Sequence, residues 1–292
     1  MSPLTRKFFH LDTGSWTHVI VDSLTRRAAI VDPVLHFDVV SGRANSNSAQ
    51  RVLENIDTAS LTVEWILQTH VPADHPSAAA WMRTHLSTID HRVSGGIGDG
   101  VCDAHATVTR RLDKDRKFGG DGTARDRLFE DGDRLPMDAL EVEVVATPGH
   151  TADEFSYRVG DTVVATDTLF APRLGTGRCE FPGADAAVLC QSIQRLFAMP
   201  NDTRLFLCHD SPPDGEEPTA LTAVGAQKAG NVMLQAHTSE QDFIEACRAR
   251  DTTLTAPTLP WPSLQINFRG GRLPAAERNG VRIVRRPVRD AT

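Results

Sequence analysis

Short apolar runs separated by polar turns dominate the first part of the chain. Residues 17 to 32, THVIVDSLTRRAAIVD, predict two strands joined by a polar turn, with Asp32-Pro33 closing the second. The following stretch, PVLHFDVVSGRANSNS, predicts a loop. A helix is expected after it, with Ser46 or Ser48 as its cap and Val52, Leu53 and Ile56 on its inner face. An unbroken apolar run from Val63 to Leu67, with Trp65 inside it, predicts a buried strand that ends at Thr69-His70. The chain then opens through Pro72, Asp74 and His75 into an Ala-rich helix expected to begin near Pro76, where a missing N–H costs nothing.

Residues 92 to 126 carry Gly-rich and charged pieces, SGGIGDG and RRLDKDRKFGGDGTARD, and predict a long exposed loop. Order is expected to resume at RLFEDGDRL. The alternation of Leu140, Val142 and Val144 predicts a half-buried strand, and FSYRVGDTVVATD a hairpin turning at Gly160-Asp161. DAAVLCQSIQRLFAMP has helical spacing and stops at Pro200, and TRLFLCHD is a further short strand. From about residue 220 the pattern becomes mainly helical, with Ser239 and Asp242 resembling a capping box. SLQINFRGGRLP is expected to form a final strand and a tail. Clustered strands followed by strand–helix alternation point to a layered sandwich rather than a doubly wound parallel sheet. The whole chain, 1–292, is expected to be one domain with a C-terminal helical extension.

Composition narrows the function. A net charge of -7 with no basic cluster argues against a nucleic-acid groove. No apolar run approaches membrane-spanning length, and MSPLTRKFFHLD turns polar too soon for a secretion signal. Five scattered cysteines without a CxxC fit a reduced, cytoplasmic protein rather than a disulfide scaffold.

The chemistry sits at strand ends. His70, Asp74 and His75 fall within six residues where a strand hands over to a helix. His150 in TPGHT, Asp167 in VVATDTLF and His209 in LFLCHDS each follow another apolar run. Imidazole and carboxylate together suit zinc, iron or manganese. A lone histidine is more often structural than a ligand, but a polar network at the core edge does not explain the shared strand-end placement.

The motifs IVDPVLHFDVVSGR, VEWILQTHVPADH, RLFEDGD, TPGHT, DTLFAP, GTGRCEFPGADA, LFLCHDSPP and WPSLQINFRGGRLP resemble the metallo-β-lactamase superfamily, and within it the persulfide (sulfur) dioxygenase group. The resemblance implies an α+β fold, an αββα sandwich with the metal at one edge between two sheets. It departs at one position: the second histidine of the His-x-His-x-Asp-His signature is Pro72. A dinuclear zinc site of the glyoxalase II type would place His70, position 72 and His150 on one metal. Asp74, His75 and His209 would hold the other, with Asp167 bridging. That first metal is then a ligand short. A mononuclear Fe(II) site needs only two His and one carboxylate, which His70, His150 and Asp167 supply. Asp74, His75 and His209 would then be catalytic groups around it. A single zinc held by Asp74, His75, Asp167 and His209, and a metal-poor derivative, are the other readings.

The resemblance further implies a thiol or persulfide substrate such as glutathione persulfide, oxidised with O2 to sulfite and thiol, and a homodimer. Arg178 matches a substrate-binding position, where a guanidinium suits a carboxylate. A solvated turn or a structural ion pair is its other reading. Arg269 and Arg272 are weaker candidates. Cys179, beside Arg178, is expected to be a packed thiol rather than a nucleophile, and Trp261 either a pocket wall or an ordinary packing residue.

Overall fold

A computed structural model describes residues 2–112 and 126–286. In chain order its first half runs through β1 (Leu4–His10), β2 (Ser15–Val21), β3 (Arg27–Val31), β4 (His36–Asp38), β5 (Arg43–Asn45), α1 (Asn47–Thr58), β6 (Thr62–Leu67), α2 (Ala79–Leu86), β7 (Ser94–Gly98), α3 (Val101–Leu112) and β8 (Arg127–Phe129). The second half comprises β9 (Arg134–Met137), β10 (Leu140–Ala146), β11 (Phe155–Val159), β12 (Thr162–Val164), α4 (Ala186–Phe197), β13 (Arg204–Phe206), β14 (Leu221–Ala223), α5 (Val224–Gly230), α6 (Glu240–Asp251) and α7 (Pro260–Asn267).

Each half builds one sheet. The first has the order β1-β2-β3-β6-β7-β8 and the second β14-β13-β12-β11-β10-β9. Their facing residues, among them Ile20, Val31, Leu67, Phe129, Val144 and Tyr157, form the central core. Val52, Leu53 and Ile56 of α1 and Met82 of α2 cover the outer face of the first sheet. Leu189, Ile193 and Leu196 of α4, with Phe243 of α6, cover that of the second. The layers are therefore αββα. A sheet that is apolar on both faces has to be covered on both, and this stacking achieves it.

Four expectations are corrected. The stretch at 92 to 112 is ordered as β7 and α3, not a loop; residues 113–125 of the predicted loop lie outside the described residues. Its glycines are required, because a Cβ on Gly96 would stand 2.2 Å from the Phe129 ring and one on Gly98 2.0 Å from the Phe155 ring. The second helix starts at Ala79, not near Pro76. Residues 76–78 instead pair with 33–35, through Leu35 N–H to the Pro76 carbonyl at 2.8 Å and Ala78 N–H to the Pro33 carbonyl at 2.7 Å. Finally, the segment around SLQIN is the helix α7 rather than a strand. The expected 33–48 loop also contains the small β4–β5 hairpin.

Candidate metal centre

The four strands β6, β10, β12 and β13 end at Leu67, Ala146, Val164 and Phe206, and the predicted ligands follow them three to eight residues later. The structure brings them together as two groups. The ligand atoms of His70, His150 and Asp167 lie within 4.8 Å of one another, and so do those of Asp74, His75 and His209.

The first group is aimed by hydrogen bonds from behind. Asp32, at φ 49°, accepts the Thr69 N–H at 2.9 Å and the Thr69 hydroxyl at 2.7 Å. With its proton committed to Asp32, the Thr69 oxygen accepts from His70 Nδ1 at 3.0 Å, which leaves the His70 Nε2 lone pair available. Burial raises the Asp32 carboxyl above the usual range, and the Thr69 bonds work against that rise. His150 Nδ1 donates to the Arg178 carbonyl at 2.7 Å, so its Nε2 also presents a lone pair. Burial lowers the His150 pKa, which favours that neutral form. Gly177 N–H donates to the Asp167 carbonyl at 2.7 Å. His150 Nε2 stands 3.5 Å from Asp167 Oδ2. Asp167 Oδ1 is buried with no hydrogen-bond partner, the condition expected of a carboxylate oxygen meant for a cation.

The second group adjoins the first through Asp167. His209 Nε2 lies 3.4 Å from Asp167 Oδ1 and 3.5 Å from Asp74 Oδ2, and Asp74 Oδ2 is 3.2 Å from His75 Nδ1. Ser15 Oγ sits 3.2 Å from His75 Nδ1 and 3.4 Å from His209 Nδ1, tying the two rings to the start of β2. Burial alone would raise Asp74 and Asp167. The neighbouring imidazoles, His75 and His209 for Asp74 and His209 and His150 for Asp167, outweigh it and hold both carboxyls low. Burial would likewise lower His209, and the carboxylates of Asp167 and Asp74 overcome it to raise that imidazole. Two imidazoles and a carboxylate with inward lone pairs fit a transition-metal ion in the first group.

Pro72 is buried in the loop between the groups and offers no side-chain donor. Its carbonyl is bound by Asn267. The cleft over the site, of about 710 Å³, is lined by Asp74, His150, Asp167 and His209 together with Arg178, Phe181, Asp210 and Arg250. Arg178 does reach this cleft, but its guanidinium pairs with Glu180 and donates to the Thr255 carbonyl at 2.8 Å. It lies over the Phe181 ring at 5.2 Å. Arg269 and Arg272 are not among the cleft residues, and Arg269 instead donates to the Gln265 carbonyl at 2.5 Å. Cys179 is a half-buried free thiol packed beside Cys247. Trp261 lines a neighbouring cavity.

Sequence reasoning passed over the residues that position the candidate ligands. Asp32 was visible only as a strand terminator, and Ser15 and Asn267 had no local signal. Arg250 donates to the Thr176 and Gly177 carbonyls at 2.6 and 2.8 Å, and Asp251 accepts the Cys179 N–H at 2.7 Å. Helix α6 thereby fixes the segment 176–179 that touches both His150 and Asp167.

Several known proteins resemble this chain. A "Beta-lactamase hydrolase-like protein" of Xylella fastidiosa is 38% identical over 291 residues, covering 98% of this chain, which spans 65% of that relative's length. The "Persulfide dioxygenase ETHE1, mitochondrial" of Bos taurus is 24% identical over 208 residues, 71% of this chain and 68% of that protein. Among solved structures, ETHE1 from Myxococcus xanthus superposes with a TM-score of 0.72 at 26% identity, covering 92% of this chain and 100% of that one. The family model described as "Metallo-beta-lactamase superfamily" matches residues 12–209, which contain every candidate ligand, and the chain belongs to that superfamily.

Proposed function

We propose that the chain is an iron-dependent dioxygenase that oxidises a low-molecular-weight persulfide, such as glutathione persulfide, to sulfite and thiol. The balance is RSSH + O2 + H2O giving RSH, sulfite and two protons. The observation that carries the reading is the gathering of His70, His150 and Asp167 beside Pro72, which cannot supply the third imidazole that a zinc in this subsite of a dinuclear site would take. Two imidazoles and one carboxylate are the donor set of non-heme Fe(II) oxygenases, which leave positions open for substrate and oxygen. The likeness to proteins named persulfide dioxygenase and ETHE1 supports the same reading. Bound iron would supply a Lewis-acidic, redox-active centre that brings sulfur and oxygen together. The protein's own part is to aim the two imidazoles through Thr69 and the Arg178 carbonyl, and to keep Asp167 anionic. His209, with Asp74 beside its Nε2, stands where it can hold the proton that a departing thiolate takes up. Oxygen uptake and sulfite release by iron-loaded protein given glutathione persulfide test the reading. Uptake no greater than that of His150→Ala rejects it.

One observation favours a second reading. Asp167 faces both groups, with Oδ2 toward His150 and Oδ1 toward His209, as a bridging ligand would. A zinc hydrolase of thioester or lactone type would use that arrangement, with Asp74 holding the attacking water. About two zinc ions per chain, with thioester cleavage, would favour it. A native preparation that takes up neither iron nor zinc on dialysis would favour a repurposed, metal-poor protein.

A further inference from the structure

The metal cleft continues into a second cavity of about 460 Å³. Ala73, His150 and Phe181 line both, so Phe181, whose ring centre is 5.4 Å from that of His150, is the partition between them. The wall of the second cavity is apolar: Val71 of the motif loop, Val108 on α3, and Trp261, Leu264 and Phe268 from the C-terminal region. Val71 and Phe268 are core residues of a small cluster against which Val108 and Leu264 pack, so the chamber is built on a firm apolar floor. Besides His150, its charged lining is Asp153 and Arg286. The Asp153 carboxylate already accepts the Val71 N–H at 2.9 Å.

The first cleft has the opposite character. Asp74, Asp167 and Asp210 stand in its wall, and its two arginines are engaged by the protein itself. Arg178 is held by Glu180 and Thr255, and Arg250 by Asp251 and the carbonyls of Thr176 and Gly177. A tripeptide thiol with two carboxylates and an ammonium group would meet acidic side chains in one cavity and, apart from the exposed Arg286, an apolar wall in the other. Burying those charges without partners is costly. An uncharged chain meets no such cost in the second cavity, whose size and lining are those of a small-molecule pocket.

We infer that this chamber receives the organic arm of the substrate thiol, and that the arm is an alkyl or aryl group rather than a charged peptide. The inference rests on the persulfide reading and names its substrate class. A docking groove for another protein would have no reason to open onto His150, whereas a substrate arm reaching from a sulfur at the metal must pass it. Glutathione persulfide is then a usable but poor substrate.

Calorimetric titration of the full, iron-loaded chain with 4-phenylbutanethiol and with glutathione tests this. Both carry the same thiol, so the difference in affinity reports the arm alone. 4-Phenylbutanethiol is expected to bind at least about tenfold tighter, the scale of a few buried methylenes. Val108→Trp and, separately, Leu264→Trp, each checked for native circular dichroism, should fill the chamber. Each should weaken 4-phenylbutanethiol about tenfold more than glutathione. Equal affinities, or equal weakening of both thiols in both variants, overturn the inference. Oxygen uptake with persulfides but no such discrimination removes the inference and leaves the dioxygenase. Discriminating binding without uptake from any persulfide removes the dioxygenase and keeps an apolar-arm site.

Discussion

The side-chain amide of Asn267 donates to the carbonyl of Pro72 at 2.8 Å, across 195 residues of chain. The same amide reaches the His75 carbonyl at 2.9 Å, and its oxygen accepts the Ser77 N–H at 2.7 Å. One buried residue of α7 thus fastens the whole motif loop. Asn267→Ala would leave these backbone groups unpaired in a buried place. A loss of about 1–3 kcal/mol in stability is expected by urea unfolding of metal-free protein. An unchanged midpoint and slope would show that the loop does not depend on this anchor.

Gly177 is packed between two candidate ligands. A Cβ there would stand 2.3 Å from the Asp167 carbonyl oxygen and 3.0 Å from His150 Nδ1. Gly177→Ala should therefore push both away from a common centre. Loss of iron affinity of about 10–100-fold, the usual size of a disturbed ligand support, is expected by competition with a chelator. Arg250→Ala, which frees the Thr176 and Gly177 carbonyls, should move affinity in the same direction by less. Wild-type affinity in Gly177→Ala would contradict the assignment of His150 and Asp167 as ligands.

Pro72→His restores a donor where the loop has none. The variant should bind more zinc per chain than the parent by metal analysis, and gain thioester hydrolysis at the expense of oxygen uptake. If its metal content and activities match the parent, position 72 is not what separates the two chemistries.

His18 and His10 make stability depend on pH. Burial is the main cause in both: it lowers His18 to about 4, and with the charges of His75 and Arg51 it lowers His10 to about 3. The unfolded chain protonates both near 6.5, so between there and the folded values the unfolded state binds more protons. Their contribution to stability should be full above about pH 7 and fall as the pH drops through 6.5 toward 4. The slope should approach roughly 1.4 kcal/mol per pH unit for each histidine. Urea midpoints at pH 7.5 and 5 read this out, and His18→Gln should flatten the slope. A His18→Gln variant whose midpoint moves between those values as much as the parent's would contradict the assignment.

The candidate ligands were legible in the sequence because each follows a strand, and apolar runs ending in His or Asp are local signals. Strand β7 was not legible. Its glycines read as a turn-rich loop, while their actual cause is that the Phe129 and Phe155 rings occupy the space where side chains would be. Helix α7 was missed because Pro260 and Pro262 obscure a periodic pattern; Pro at its first positions in fact starts it. Asp32, Ser15, Asn267 and Arg250 act on partners remote in the chain. Nothing in their neighbours announces the role.

The six candidate donors divide evenly by origin. His70, Asp74 and His75 hang from the sheet of the first half, and His150, Asp167 and His209 from that of the second. An ion seated among them is therefore a rivet through the seam where the halves meet. Stripping it out would slacken the joint between two leaves that each remain internally hydrogen-bonded, so amide exchange should quicken first along that seam, at the strand ends, rather than within either leaf.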